Sequence, residues 1–103
     1  QEKLISPSKI EGTGWSFRDL LRRKLVNILK EQAPKVGRND IKVEILIDLA
    51  LRIENEMFRL YKHGKPYNDK MRSIIYNLTD SKNQGPLLAV LDMNISPEDF
   101  VSM

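Results

Sequence analysis

The chain has 103 residues, which is enough for one domain and too few for two ordinary hydrophobic cores. Hydrophobic residues make up 41% and charged residues 30%, with a net charge of +3, so the composition excludes a membrane protein, a polar disordered tail and a strongly basic histone-like arm. Cysteine is absent and histidine occurs once, which removes disulfides, thiolate zinc sites and histidine relays and argues against an enzyme.

Residues 1–15 are expected to form a linker or a lightly docked N-terminal arm. They contain Pro7, Gly12 and Gly14 among polar residues, without a sustained hydrophobic period. No apolar stretch of signal-peptide length is visible, and no run approaches the roughly 20 apolar residues that cross a bilayer. The sequence therefore predicts no membrane association.

The first helix is predicted to begin at Ser16 and to end before Pro34. Ser16 is a suitable N-cap, and Asp19 follows three residues later, as in a capping box. The apolar residues that follow are spaced by three and four positions and indicate one buried face: Phe17, Leu20, Leu21, Leu25, Ile28 and Leu29.

The second helix is predicted to be the longest, with Asp40 as its cap and its end near Lys62. Its apolar residues also follow a helical period, and its length exceeds that of a single strand. Gly64 and Pro66 are typical of a helix stop. Glu54 and Glu56 lie on this helix, and we expect both to be solvated surface charges rather than a catalytic pair.

A third helix is predicted from about Tyr67 to Leu78, a short helix from Pro86, and a last one from Ser96, which combines a hydroxyl cap, a proline and two acids. The sequence thus predicts an all-α fold, a three-helix bundle with one or two additional short helices. Residues 16–103 form the predicted bundle, and its last helix is expected to be truncated at the C-terminus.

The mild net charge conceals an uneven distribution along the chain. Residues 17–30 carry a net charge of +4, residues 56–83 carry +3, and residues 84–103 carry −3. Most of these charges are expected to be ordinary soluble helix faces. The functional alternative is a docking face for an acidic partner, either a protein or a nucleic acid, although aromatic residues are too sparse for a base-stacking platform.

Residues 67–83 read YNDKMRSIIYNLTDSKN. This segment resembles the Tyr-Lys-x-Lys-x-Arg-Ser and Asn-Leu-x-Asp-x-Lys-Asn signature of the central domain of transcription elongation factor S-II (TFIIS). The resemblance extends upstream to FRDLL at residues 17–21 and IENEMF at residues 53–58, and downstream to ISPEDF at residues 95–100. In order and spacing it covers nearly all of residues 17–103.

The resemblance implies a non-catalytic, nuclear module of transcription elongation that docks on RNA polymerase II, near the jaw of its largest subunit. Transferred by position, the polymerase-binding residues are Lys62, Lys65, Lys70, Arg72, Lys82 and Asn83. The alternative function is a basic helical nucleic-acid-binding module that uses the face from Arg18 to Lys30, and direct nucleic-acid contact is otherwise expected to be secondary.

The chain also departs from the family pattern. Asn68 stands where the family usually has lysine, and Leu88-Ala89 replace a usually basic stretch. The elongation factor itself has a C-terminal zinc ribbon, which needs cysteines, so no cofactor is expected in this chain and zinc is expected only in flanking modules. The divergence favours relatives in which an S-II-like domain accompanies a PHD finger that contacts chromatin, as in a yeast transcription regulator.

Overall fold

The computed structural model describes residues 13–103, which contain five α-helices and no β-strand. The helices are α1 (Ser16–Lys35), α2 (Val43–Tyr61), α3 (Lys65–Thr79), α4 (Gly85–Leu91) and α5 (Pro97–Ser102). The predicted all-α fold is confirmed, with three main helices and two short ones. None of the helices in this range is long and apolar enough to cross a membrane.

The core lies between the three long helices, and the two short helices add buried side chains to it, among them Leu87, Val90 and Phe100. Helix α2 packs against α1, α3 and α5, while α4 packs against α3 and α5. The buried side chains are mainly leucine and isoleucine at helical spacing, and they include Leu25, Leu29, Leu49, Ile53, Met57, Ile74, Leu78, Leu87 and Phe100. Their spacing explains why the sequence folds into these helices, since each one buries an apolar stripe against its neighbours.

The start of α1 differs from the prediction that Ser16 is its cap. Ser16 is the first helical residue, and Trp15 occupies the N-cap position without a side-chain cap bond. Thr13 ties down this end instead: its hydroxyl donates to Asp19 Oδ1 at 2.8 Å and accepts from the Trp15 N–H at 3.0 Å. The prediction was wrong because Ser16 lies inside the helix, and the N–H groups of Arg18 and Asp19 donate to the Trp15 carbonyl instead of to a side-chain cap.

The end of α1 also differs, since the helix continues through Pro34 to Lys35. A proline lacks an N–H donor and its ring crowds the carbonyl four residues earlier, which a helix tolerates best in a last turn whose other backbone groups are bonded. Here the N–H of Val36 donates to the Ala33 carbonyl at 3.2 Å, and the N–H of Gly37 donates to the Pro34 carbonyl at 3.1 Å. Burial of Ala33 holds this turn against the core.

The bounds of α2 and α3 shift by a few residues from those predicted. Asp40 is not the cap of α2; Lys42 is, and its carbonyl accepts from the Ile45 N–H at 3.0 Å. Helix α2 ends at Tyr61, after which the backbone reverses through Lys62 (φ 63°) and Gly64 (φ 82°). Helix α3 then begins at Lys65, two residues earlier than predicted, because Pro66 is tolerated in a first turn.

The predicted cap of the last helix is confirmed. The Ser96 hydroxyl accepts a hydrogen bond from the Asp99 N–H at 3.0 Å, and Pro97 occupies the first helical position. Two ion pairs tie this end of the chain to the bundle: Arg52 to Glu98 at 2.9 Å and Arg38 to Asp92 at 2.6 Å.

Candidate functional site

Helix α3 exposes one face opposite the core, and we call Lys65, Asp69, Arg72 and Tyr76 the outward face of α3. These residues are spaced by four, three and four positions, so they form one stripe along the helix. All four are exposed, and Tyr76 retains 65% of its accessible surface. The outward face of α3 is therefore a charged surface that ends in an aromatic ring.

Asp69 lies between the two cations of this face. Lys65 Nζ is 2.8 Å from Asp69 Oδ2, and Arg72 Nη1 is 2.8 Å from Asp69 Oδ1. The hydrogen bond from Lys65, followed by that from Arg72, holds the pKa of Asp69 below its ordinary value. Because all three side chains are in solvent, an acidic partner can compete with Asp69 for both cations.

The other predicted site residues do not all join this face. Lys70 is half-buried: its Nζ donates to the Met103 carbonyl at 3.1 Å and lies 5.9 Å from the Tyr61 ring centroid. Lys62 is exposed beyond the end of α2, with Nζ 5.8 Å from the ring centroid of Phe58. Lys70 is thus engaged within the bundle, although its position off the apolar face predicts a free side chain.

Lys82 and Asn83 lie at the opposite end of α3. The 15 residues of α3 span about 22 Å, so these two residues and Lys65 are far apart along the surface. Asn83 Oδ1 accepts from the Gly85 N–H at 3.2 Å, and the Lys82 N–H donates to Asp80 Oδ1 at 3.0 Å. These bonds fix the turn before α4. The six predicted residues therefore form an extended surface rather than one cluster.

A buried polar cluster, the Glu54 cluster, supports the start of α3. It consists of Arg18 and Arg22 from α1, Glu54 and Asn55 from α2, and Tyr67 from α3. Glu54 has no exposed surface. The expectation that Glu54 is a solvated charge is therefore wrong.

The carboxylate of Glu54 accepts four hydrogen bonds. Two come from Arg18, at 2.7 and 2.9 Å, one from Arg22 Nε at 2.7 Å, and one from the Tyr67 hydroxyl at 2.9 Å. Asn55 Oδ1 accepts from both arginines as well. Burial, and then the negative charge of Glu54, raise the pKa of Tyr67. The Glu54 carboxylate of α2 is therefore bonded to side chains of both α1 and α3.

The Glu54 cluster has a direct consequence for the outward face of α3. Tyr67 follows Lys65 by two residues and precedes Asp69 by two, so fixing its hydroxyl sets the rotation of the first turn of α3. The Phe17 ring also packs edge-on against the Tyr67 ring, with centroids 5.2 Å apart. A buried contact thus anchors the first turn of α3, which carries Lys65.

Glu56 is also buried, which differs from the expectation of a solvated charge. Its carboxylate accepts two hydrogen bonds from Arg59, at 2.8 and 2.5 Å. The hydrogen bond from Arg59 is the main cause that lowers the pKa of Glu56. This pair is local to α2 and shares no contact with Glu54 that would make a catalytic dyad.

The Glu54 cluster weakens the alternative nucleic-acid face on α1. Arg18 and Arg22, two of the five basic residues that define it, point into the bundle and serve Glu54. The Arg18 guanidinium also stacks 3.9 Å from the Phe58 ring centroid.

Within residues 13–103, no group of three or more histidine or acidic side chains is placed to hold a metal ion.

Comparison with known proteins decides the family. The model of the family "Transcription factor S-II (TFIIS), central domain" matches residues 13–103. This chain belongs to the TFIIS central-domain family. The solution structure of the TFIIS domain II of human PHD finger protein 3 superimposes on this TFIIS domain with a TM-score of 0.79, at 26% identity, covering 90% of this chain and 78% of that one.

A curated relative supports the same assignment. This TFIIS domain is 37% identical over 60 residues to transcription factor BYE1 of Yarrowia lipolytica (strain CLIB 122 / E 150), which is 53% of this chain and 7% of the relative. The chain thus spans a small part of that protein. The predicted resemblance is confirmed, and the chain is a transcription elongation factor-like module with the helical bundle of the family.

Three residues of the TFIIS domain escaped the sequence-based assignment. Asp69 and Tyr76 were not among the predicted site residues, although their spacing from Arg72 by three and four positions places them on the same face. Glu54 lies four residues after Ala50 and three before Met57, both of which are buried. This spacing was the signal that Glu54 faces the core.

Proposed function

We propose that this TFIIS domain is a non-catalytic module that docks on RNA polymerase II through the outward face of α3. Membership of the family supports a role in transcription, which is a nuclear process. The observation that carries the proposal is the exposed pair of cations, Lys65 and Arg72. Both form an ion pair with Asp69, which lies four residues after Lys65 and three residues before Arg72.

The expected partner surface is acidic and belongs to the jaw region of the largest polymerase subunit. Arginine can grip a carboxylate with two parallel hydrogen bonds, and lysine adds a mobile point charge. Exposed charges at the rim of an interface mainly accelerate encounter, so binding should weaken as salt rises. In this proposal Lys62, Lys82 and Asn83 contact the partner beyond the two ends of α3, whereas the Nζ of Lys70 is bonded to the Met103 carbonyl.

Flanking modules belong to the same proposal. A PHD finger in the parent protein would bring the domain to chromatin, and any zinc would be held there. The human protein whose domain superimposes on this one is PHD finger protein 3.

Equilibrium binding to purified RNA polymerase II, measured by biolayer interferometry, tests the proposal. In the variant Lys65→Glu/Arg72→Glu, two exposed contacts are lost and replaced by repulsion, so we expect a loss of about 2 kcal/mol, or about thirtyfold in Kd. The matched control is Lys30→Glu/Lys35→Glu, which makes the same change in net charge on the exposed side of α1.

The control separates a specific face from general electrostatic attraction. If both double variants bind equally weakly, net charge alone governs the interaction and the docking face is wrong. If the wild-type domain does not bind polymerase at low salt, the proposed function is wrong. Circular dichroism of each variant confirms that the helices are retained.

A further inference from the structure

Asp69 is the acidic residue of the outward face of α3, and it pairs with both cations of that face. Its Oδ2 accepts a hydrogen bond from Lys65 Nζ at 2.8 Å, and its Oδ1 accepts one from Arg72 Nη1 at 2.8 Å. The side chains of Lys65, Asp69 and Arg72 retain 84%, 50% and 69% of their accessible surface. The outward face of α3 therefore presents two positive charges and one negative charge to solvent.

The pairing of Arg72 is less complete than that of three other arginines. Each of these donates from both Nε and Nη2 to the two oxygens of one carboxylate, namely Arg38 to Asp92, Arg52 to Glu98 and Arg59 to Glu56. Arg72 donates to Asp69 from Nη1 alone, and within residues 13–103 its Nε and Nη2 make no hydrogen bond. The edge of this guanidinium that can grip a carboxylate with two bonds is therefore open.

The open edge of Arg72 determines how a carboxylate of a partner is received. Such a carboxylate can bond Nε and Nη2 of Arg72 while Asp69 keeps its bonds to Nη1 and to Lys65. A second carboxylate would have to approach Lys65, where it meets the negative charge of Asp69, 2.8 Å from the lysine ammonium. Like charges placed together oppose association. The face thus accepts one carboxylate readily and a second one poorly.

We propose that Asp69 is a specificity-determining residue of the outward face of α3. Because it neutralises one of the two positive charges, it limits the pairing to a single carboxylate and disfavours surfaces on which acids are clustered. The inference rests on the proposed docking through this face, and it adds the kind of acidic surface that the face selects. The selection depends on one charge between two cations, so it is lost when that charge is removed.

Two synthetic peptides test this selection with the full 103-residue chain. Both are glycine peptides of the same length with four glutamates, which are consecutive in the clustered peptide and occupy every fourth position in the dispersed peptide. Net charge and composition are thus the same, and only the spacing of the acids differs. Titration at low salt is followed by ¹⁵N–¹H NMR, and Kd is taken from the resonances of residues 65–76.

Asp69→Asn keeps the size of the side chain and one hydrogen-bond acceptor but removes the charge. We expect it to lower the Kd of the clustered peptide about threefold and that of the dispersed peptide less than about 1.5-fold, since only clustered acids reach both cations at once. Asp69→Glu retains the charge and should leave both Kd values within about 1.5-fold of wild type. The matched control, Glu44→Gln, makes the same change in net charge on an exposed acid of α2 and should change neither value.

Binding to purified RNA polymerase II extends the test to the proposed partner. Asp69→Asn should change this Kd by less than about 1.5-fold, so the preference for polymerase over the clustered peptide should fall about threefold. Asp69 is exposed, and circular dichroism of the variant confirms that the helices are retained.

Four outcomes would overturn the role of Asp69: no peptide-induced shifts along α3, an unchanged Kd of the clustered peptide in Asp69→Asn, an equal gain for clustered peptide and for dispersed peptide or polymerase, and an equal gain from Glu44→Gln. The last would show that net charge alone governs binding. A wild-type chain that does not bind polymerase would contradict the proposed docking instead, and the peptide titrations would still decide the role of Asp69. The two proposals therefore fail in distinguishable ways.

Discussion

Replacement of Glu54 by glutamine tests whether the Glu54 cluster holds the three helices together. The substitution keeps the shape of the side chain but removes the charge and turns one acceptor oxygen into a donor that faces arginine. Arg18 and Arg22 then remain largely buried, with 11% and 9% of their side-chain surfaces exposed. Such a change leaves two cations without their main acceptor.

The magnitude follows from the burial of the pair. Removing one partner of a buried ion pair typically costs about 3–5 kcal/mol, and Asn55 still accepts from both arginines, so we expect the lower end, about 3 kcal/mol. For a domain of this size that corresponds to a fall in Tm of roughly 12–24 °C. Urea unfolding followed by circular dichroism measures the change in free energy of unfolding.

Two further variants make the result interpretable. Glu44→Gln neutralises an exposed acid in the first turn of the same helix and should change stability by no more than about 0.5 kcal/mol. Arg22→Gln together with Glu54→Gln should cost less than the sum of the single changes, because one uncompensated cation is removed. A loss below about 1 kcal/mol for Glu54→Gln would refute the reasoning that a buried charge joins the helices.

Three smaller predictions follow from α5 and from Tyr67. Ser96→Ala should destabilise the domain by about 1 kcal/mol, measured by thermal unfolding, because the Asp99 N–H loses its cap; an unchanged Tm would contradict this. The hydrogen bond from Arg52 lowers the pKa of Glu98. The ionised carboxylate therefore stabilises the fold above its unfolded-state pKa, and this contribution is lost as the pH falls through its folded-state pKa. The difference in urea midpoint between wild type and Glu98→Gln should shrink on acidification. Tyr67→Phe should leave tyrosinate absorbance near pH ~10 unchanged, since burial raises the pKa of Tyr67; a smaller absorbance rise would show that Tyr67 ionises normally.

The helices could be predicted because their apolar residues are periodic, and their ends were predicted less well because several local groups compete to cap them. Ser16 has the right chemistry for a cap, but Thr13 supplies the hydroxyl that bonds Asp19. Pro34 has the right chemistry for a helix stop, but Ala33 is buried against the core and the helix continues through Pro34 to Lys35. In each case a tertiary or neighbouring contact outweighs a local preference.

The composition of the Glu54 cluster was harder to predict than the fold. Glu54 meets Arg18 and Tyr67 from 36 and 13 residues away, and neither separation follows from helical periodicity. Only the position of Glu54 on the buried stripe of α2 was visible in the sequence. By contrast, the exposure of Arg72 follows from the apolar pattern of α3, whereas Lys65 lay outside the predicted helix. Which polymerase surface these two residues meet stays a prediction.

Site-specific cross-linking tests the central claim most directly. Tyr76 is exposed at one end of the outward face of α3, so a photoreactive benzoylphenylalanine at this position should join the domain to the largest subunit of RNA polymerase II. The same probe at Lys30, on the exposed side of α1, should give little or no product. Cross-linking from position 30 but not from position 76 would contradict docking through α3.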